Sequence, residues 1–266
     1  MPSLWASLAG AAILALALLW LLRRRNREIR ALRLRLERAS ADLERLQRSF
    51  GRFAPAEIVE RVIASGVSTS GERKEVTALF ADLVGYTSLS ERLDPDVLVR
   101  ILNRYFERMS RAITEHRGHV SALIGDGMLA LFGALDPDPW QSDGAVHAAL
   151  AMQAELESYN RELEREGLPP LAIGIGLHRG IGVAGLVGSK DLIQYAFVGR
   201  TINVAARVQD LTRLHDANIL VTRELQQSID PRFQLRELPP AEVRGISHPV
   251  AIFAVDGFDA DAADRE

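Results

Sequence analysis

Two carboxylates stand where the pattern of the chain turns sharply. Asp82 closes an apolar run, Leu79-Phe80-Ala81-Asp82-Leu83-Val84, and Asp126 sits in the tight segment Ile124-Gly125-Asp126-Gly127. Two carboxylates brought to one point repel, and a divalent cation relieves that repulsion. A hard oxygen set with few other donors suits Mg²⁺ or Mn²⁺, which complete their shells with water and phosphate oxygens. Each residue also has a plainer reading. Asp-Gly is a strong hairpin signal, and an Asp at the end of a strand can cap the helix that follows.

A second pair lies in Gly199-Arg200-Thr201-Ile202-Asn203-Val204-Ala205-Ala206-Arg207. Asn203 and Arg207 are four apart, hence neighbours on one helical face. An amide and a guanidinium at that spacing can hold a sugar and a phosphate, while Val204, Ala205 and Ala206 read as the buried side. The plain alternative is a solvated polar face. The chain has no cysteine, so disulfides, thiol nucleophiles and zinc–thiolate sites are excluded. A formal net charge of −3 gives no bulk attraction for nucleic acid.

These residues need a framework, and the alternation of patterns from Glu72 onward supplies one. Val76–Phe80 reads as a strand, and Asp94–His116 as a helix with Asp94 as N-cap and Pro95 at the first helical position. His119–Ile124 and Met128–Phe132 read as a hairpin around Gly125-Asp126-Gly127, and Ser142–Gly167 as a long helix. Leu171–His178 and Ile181–Val187 read as two strands around Arg179-Gly180. Thr201–His215 reads as a helix, followed by strands near Ile219–Val221, Phe233–Leu238 and Val250–Val255. The order β-α-β-β-α-β predicts a ferredoxin-like α+β sandwich over 72–258. In that topology the first strand neighbours the hairpin, which would bring Asp82 and Asp126 together. The acidic tail 259–266 reads as frayed.

The N-terminal quarter has a different pattern. Leu4 to Leu22 carries no charge, and as a helix it would span about 28 Å, close to the ~30 Å hydrocarbon core. Trp5 and Trp20 lie near its ends, and Arg23, Arg24, Arg25, Arg27 and Arg30 follow. Residues 1–22 are therefore expected to be a single-pass anchor with the following chain on the cytoplasmic side. A cleaved signal peptide would carry its basic residues ahead of the apolar run. Ile29, Leu32, Leu36, Ala39, Leu43, Leu46 and Phe50 follow an alternating three-and-four spacing, which predicts a parallel dimeric coiled coil over 23–50. Residues 51–71 read as a linker.

From about Phe50 to Phe253 the chain resembles the class III adenylate/guanylate (nucleotidyl) cyclases. The resemblance rests on Phe50-Gly51-Arg52-Phe53, Pro55-Ala56-Glu57, Glu72–Thr77, Phe80–Ser90, Ile124–Gly133 and Gly199–Arg207, which stand in family order and spacing. It implies a head-to-tail homodimer with two interfacial active sites for a nucleoside triphosphate, each using two Mg²⁺ or Mn²⁺. By position Asp82 and Asp126 match the metal-binding aspartates of one protomer. Asn203 and Arg207 match the partner's ribose-positioning and transition-state residues. Arg244 stands where the family's terminal-phosphate lysine does. An inner-membrane location with a cytoplasmic catalytic domain follows from the anchor.

Two positions depart from the family. Ala122 and Ala196 occupy the places whose side chains read the Watson–Crick edge of the purine, and alanine has neither donor nor acceptor. ATP held by packing, a pyrimidine triphosphate as in phage-defence cyclases, and a catalytically silent regulatory or dimerisation module are the three resulting readings. Tyr86, Tyr195 and Arg179 are the candidates for other base contacts.

Overall fold

The computed structural model describes residues 71–188, 193–242, 246 and 248–260. The expected anchor, coiled coil and nearly all of the linker lie outside these residues, as do Arg244 and residues 261–266. Among the described residues no helix is long and apolar enough to cross a membrane.

In chain order the elements are β1 (Glu72–Leu83), α1 (Tyr86–Arg92), α2 (Pro95–Glu115), β2 (His119–Ile124), β3 (Gly127–Phe132), α3 (Gln141–Arg165), β4 (Ile173–Gly188), β5 (Ile193–Val198), α4 (Arg200–His215), β6 (Ile219–Thr222), α5 (Arg223–Gln226), β7 (Phe233–Glu237) and β8 (Ile252–Phe258). The sheet runs β2-β3-β1-β4-β6-β8-β7, and β5 pairs with β4. The contacts β2/β3, β3/β1 and β1/β4 are all antiparallel. With α2 and α3 as the two crossovers, this is the expected ferredoxin-like core. Beyond it, β6 joins β4 in parallel through α4.

Alternation along β1 sorts its side chains to the two faces. Leu79, Ala81 and Leu83 enter the main core with Ile101, Tyr105 and Met109 of α2 and Ala145, Ala149 and Met152 of α3. Val76, Ala78 and Phe80 face the other way, into a cluster with Phe197 of β5 and Ala205 of α4. Asp82 continues this second set. The helix α2 starts as its sequence predicts: the Asp94 carboxylate accepts the N–H of Asp96 at 2.9 Å, and Pro95 follows it. Such a cap contributes about 1 kcal/mol relative to alanine.

One sequence expectation needs correction, and one alternative falls away. The predicted pair of strands around Arg179-Gly180 is one strand, β4, because β1 offers an unbroken antiparallel partner from Ile173 to Ala184. Neither Arg179 nor Gly180 takes a positive φ. And Asp82 caps no helix: α1 begins at Tyr86 with Gly85 as its N-cap.

Candidate active site

The site forms where the end of β1 meets the β2–β3 turn. Ile124 pairs with Gly127, so the two loop residues are Gly125 and Asp126. Gly125 takes φ +63°, a positive angle at the first loop position, as a type II′ turn requires. Ala81 pairs with Met128, so the next step along the ladder sets Asp82 beside Gly127. A Cβ on Gly127 would lie 3.1 Å from Asp82 Oδ1, and glycine leaves that oxygen room. The end of β1 therefore lies beside the turn, as the topology predicted, and the Asp126 carboxylate is close enough to act on Asp82.

Their electrostatics follow. The Asp82 carboxyl is pushed up to about 6, first by burial and then by the neighbouring Asp126 charge, with Arg213 pulling it down and a hydrogen bond with Asp126 and the Asp210 charge pushing it up. A carboxyl raised in this way favours the folded state when protonated. Its contribution is full below the ordinary carboxylate value of about 4 and is lost as pH rises through about 6. Without divalent cation, the Asp82 contribution to melting temperature is expected to fall between about pH 4 and about pH 7, against the opposite trend from His147 and His178, whose lowered values favour the fold as pH rises. Asp82→Asn should flatten that slope, and thermal melts in chelator at several pH values check it. A slope unchanged in the variant would refute the electrostatic conflict at Asp82.

Residues beyond the sequence reading also converge here. Arg213 of α4 donates from Nη2 to Asp82 Oδ2 at 3.0 Å and to the Leu83 carbonyl at 3.3 Å. Tyr105 of α2 is fully buried, its hydroxyl has no hydrogen-bond partner among the described residues, and its ionisation is driven upward by burial and by Asp82 and Asp126. The helix α4 can lie this close because β4 is bare beneath it. A Cβ on Gly176 would overlap the backbone of Ala205 and Gln209.

Asn203 and Arg207 lie on α4 as expected, Asn203 exposed and Arg207 half-buried, while Val204 and Ala205 are buried. Among the described residues neither makes a hydrogen bond or ion pair with Asp82 or Asp126; the cation on Asp82 is Arg213. Ala122 and Phe80 both pair with Leu129, so the three form a cross-strand row on the Asp82 face. Ile202 of α4 packs against the same cluster. The ladder slips by one residue at Ser121, a bulge that sets Ala122 opposite Leu129. Ala196 is half-buried on β5, opposite Gly185. Arg179, a candidate base contact, lies away from the carboxylates of its own chain. It pairs with Thr77, five residues and about 17 Å along β1 from Asp82, and its guanidinium is held by Glu75 at 2.9 Å and Ser142 at 3.3 Å. Tyr86 packs at the edge of the main core. For Tyr195 and Arg244 the side-chain positions lie outside the described residues.

The donor set fits a divalent cation of the hard-oxygen kind. Among the described residues no three His, Cys, Asp or Glu side chains converge as a cage. Asp82, Asp126 and the Leu83 carbonyl offer oxygen only and leave coordination positions open. That suits Mg²⁺ or Mn²⁺ sharing their shell with substrate phosphates, not a structural, fully caged ion.

Comparison with known proteins bears on the domain as a whole. The adenylate and guanylate cyclase catalytic domain matches residues 69–257. An adenylate cyclase of Anabaena cylindrica is 34% identical over 218 residues, covering 78% of this chain and 42% of that protein. Adenylate cyclase 1 of Rhizobium meliloti (strain 1021) is 31% identical over 211 residues, covering 79% and 32%. The chain thus spans less than half the length of either relative. Among solved structures, the guanylyl cyclase Cya2 superposes with a TM-score of 0.66 at 33% identity, over 72% of this chain and 96% of that one. The adenylyl cyclase CyaB from P. aeruginosa does so with 0.68 at 27% identity, over 72% and 98%.

Proposed function

The chain belongs to the adenylate and guanylate cyclase catalytic domain family, and from that premise we propose that it converts a nucleoside triphosphate, ATP first among them, to the 3′,5′-cyclic nucleotide and pyrophosphate as a homodimer. The observation that carries the reading is the meeting of Asp82 and Asp126 at the end of β1 in a conflict that a divalent cation would relieve. Two Mg²⁺ or Mn²⁺ held there would supply Lewis-acid polarisation of the ribose 3′-hydroxyl and neutralise phosphate charge.

The residues of the chain supply the rest. Asp82 and Asp126 are the residues that would hold the cations, whose charge would help fix the triphosphate. The 3′-oxygen attacks the α-phosphorus as its proton passes to solvent water, and the bond to the departing pyrophosphate breaks in line. Asn203 of a partner protomer orients the ribose, and Arg207 of that partner meets charge developing on the transferring phosphorus. Arg244 meets the terminal phosphates. Support for a partner's α4 comes from the chain itself, where among the described residues Asn203 and Arg207 make no hydrogen bond or ion pair with Asp82 while Arg213 does. The apolar run Leu4–Leu22 and the heptads after it support single-pass anchoring in the inner membrane, with the catalytic domain in the cytoplasm and the coil promoting dimerisation.

Base identity is the open choice, and the row Phe80, Leu129, Ala122 bears on it. A surface without polar readers leaves no group unpaired when the wrong base enters, so discrimination between ATP and GTP is expected to stay at about 10- to 200-fold. The relatives named above include both adenylyl and guanylyl cyclases. Measuring kcat/KM for ATP, GTP, CTP and UTP with Mn²⁺ decides the matter. Stronger selectivity for one purine would require a reader elsewhere. Selectivity for CTP or UTP would favour the pyrimidine reading, and no turnover of any of the four would favour a silent regulatory module.

A further inference from the structure

The ion pair between Arg213 and Asp82 has no part in the chemistry above, and it occupies the oxygens that chemistry needs. One nitrogen, Nη2, is shared between a carboxylate oxygen at 3.0 Å and the next residue's carbonyl oxygen at 3.3 Å. The Asp126 and Asp210 charges act on the same carboxylate. The guanidinium therefore sits where positive charge is most favoured, in a nest of oxygens on the β1 end. A small divalent ion takes such oxygens at about 2.1 Å, so on Asp82 Oδ2 and the Leu83 carbonyl it competes with the guanidinium for the same two atoms.

The contact is also built to break. The Arg213 side chain is 47% exposed and that of Asp82 25%. An ion pair at this depth is weak, since water screens it and both side chains give up freedom to hold it. The long arginine stem can swing its head into solvent while its methylenes stay on the protein surface. Arg213 stands in the last turn of α4, so its release disturbs no helical hydrogen bond of its own backbone.

We propose that Arg213 is an exchangeable counter-ion of the paired-carboxylate site. It holds Asp82 in place while no divalent cation is bound, and it must leave for one to enter. Arg213 is thus a positioning residue that lowers metal affinity, and metal loading of the site is a cation exchange. The inference rests on the cyclase reading only in taking Asp82 as a metal ligand.

Mn²⁺ titration of the purified full chain without nucleotide, followed by the paramagnetic resonance signal of free Mn²⁺, tests it. Arg213→Gln and Arg213→Met are both expected to bind Mn²⁺ on the order of three- to ten-fold more tightly than wild type, because no cation has to be displaced. Asp82→Ala should lose the site. A purely bracing Arg213 would give the opposite sign, with weaker Mn²⁺ binding and a lower melting temperature in both arginine variants. Binding no tighter than wild type in either variant therefore overturns the exchange while leaving Asp82 as a ligand. Full-strength Mn²⁺ binding in Asp82→Ala overturns the exchange together with the metal assignment on which the proposed function stands.

Discussion

Asp82→Ala and Asp126→Ala are each expected to lower cyclisation by about a thousandfold or more while leaving the chain folded. The size follows from the role. Removing a ligand forfeits several kcal/mol of charge stabilisation on the α-phosphorus and its leaving group, at about 1.4 kcal/mol per factor of ten. The expectation of an intact fold follows from the energetics of the site. Asp82 gains one exposed-edge ion pair from Arg213, worth at most about 1 kcal/mol, and against it stand burial and the Asp126 charge. Alanine at position 82 removes a group the metal-free fold barely tolerates. Alanine at 126 leaves Gly125 to make the turn. Cyclic nucleotide formation with Mn²⁺, alongside a melt in chelator, checks both halves of the expectation. Near-normal turnover in either purified variant would sink the two-metal assignment, and unfolding of either would show that the carboxylates are structural.

The contrast between Asp82 and Arg213 shows what a sequence discloses of such a site. Asp82, Asp126 and the hairpin between β2 and β3 were legible because their signals are local: an apolar run broken by an acid, and a Gly-Asp-Gly turn. The ferredoxin-like order was legible because strand and helix periodicities alternate cleanly up to β4. Arg213 gave no such signal. It lies 131 residues from Asp82, and within α4 it reads as an ordinary base near a helix C-terminus. What brings it over is the close seat of α4 on Gly176, a tertiary fact. Tyr105 is similar: as one apolar-face residue of α2 it is indistinguishable from Ile101 and Met109 until the sheet shows which of them lies under the carboxylates. The break expected at Arg179-Gly180 failed for a different reason. A glycine after a charged residue reads as a turn, but a long partner strand can carry β4 straight through it, and Arg179 then pairs with Glu75 and Ser142.

Mixing two inactive variants should restore activity if the site is shared between protomers. Within one chain Asp82 and Asp126 gather at the end of β1, whereas Asn203 and Arg207 sit on a part of α4 that makes no polar contact with them. A head-to-tail pair with two-fold symmetry makes each protomer lend α4 to the other's carboxylates. In a heterodimer of Asp82→Ala with Arg207→Ala, one site inherits both defects and the other inherits none. Random exchange of subunits makes half the dimers mixed, each with one good site of two, so roughly a quarter of wild-type turnover should return from two preparations that have almost none. The effect is large because it is measured against a near-zero baseline, and it has a sign that no stability change imitates. A same-side control, Asp82→Ala with Asp126→Ala, should recover nothing, since both defects fall in the half-site that one protomer supplies. If heterodimers form and the cross pair stays inactive, Asn203 and Arg207 do not act on a partner's substrate. The polar face of α4 then has to be read as a solvated surface, the plainer alternative that its sequence always allowed.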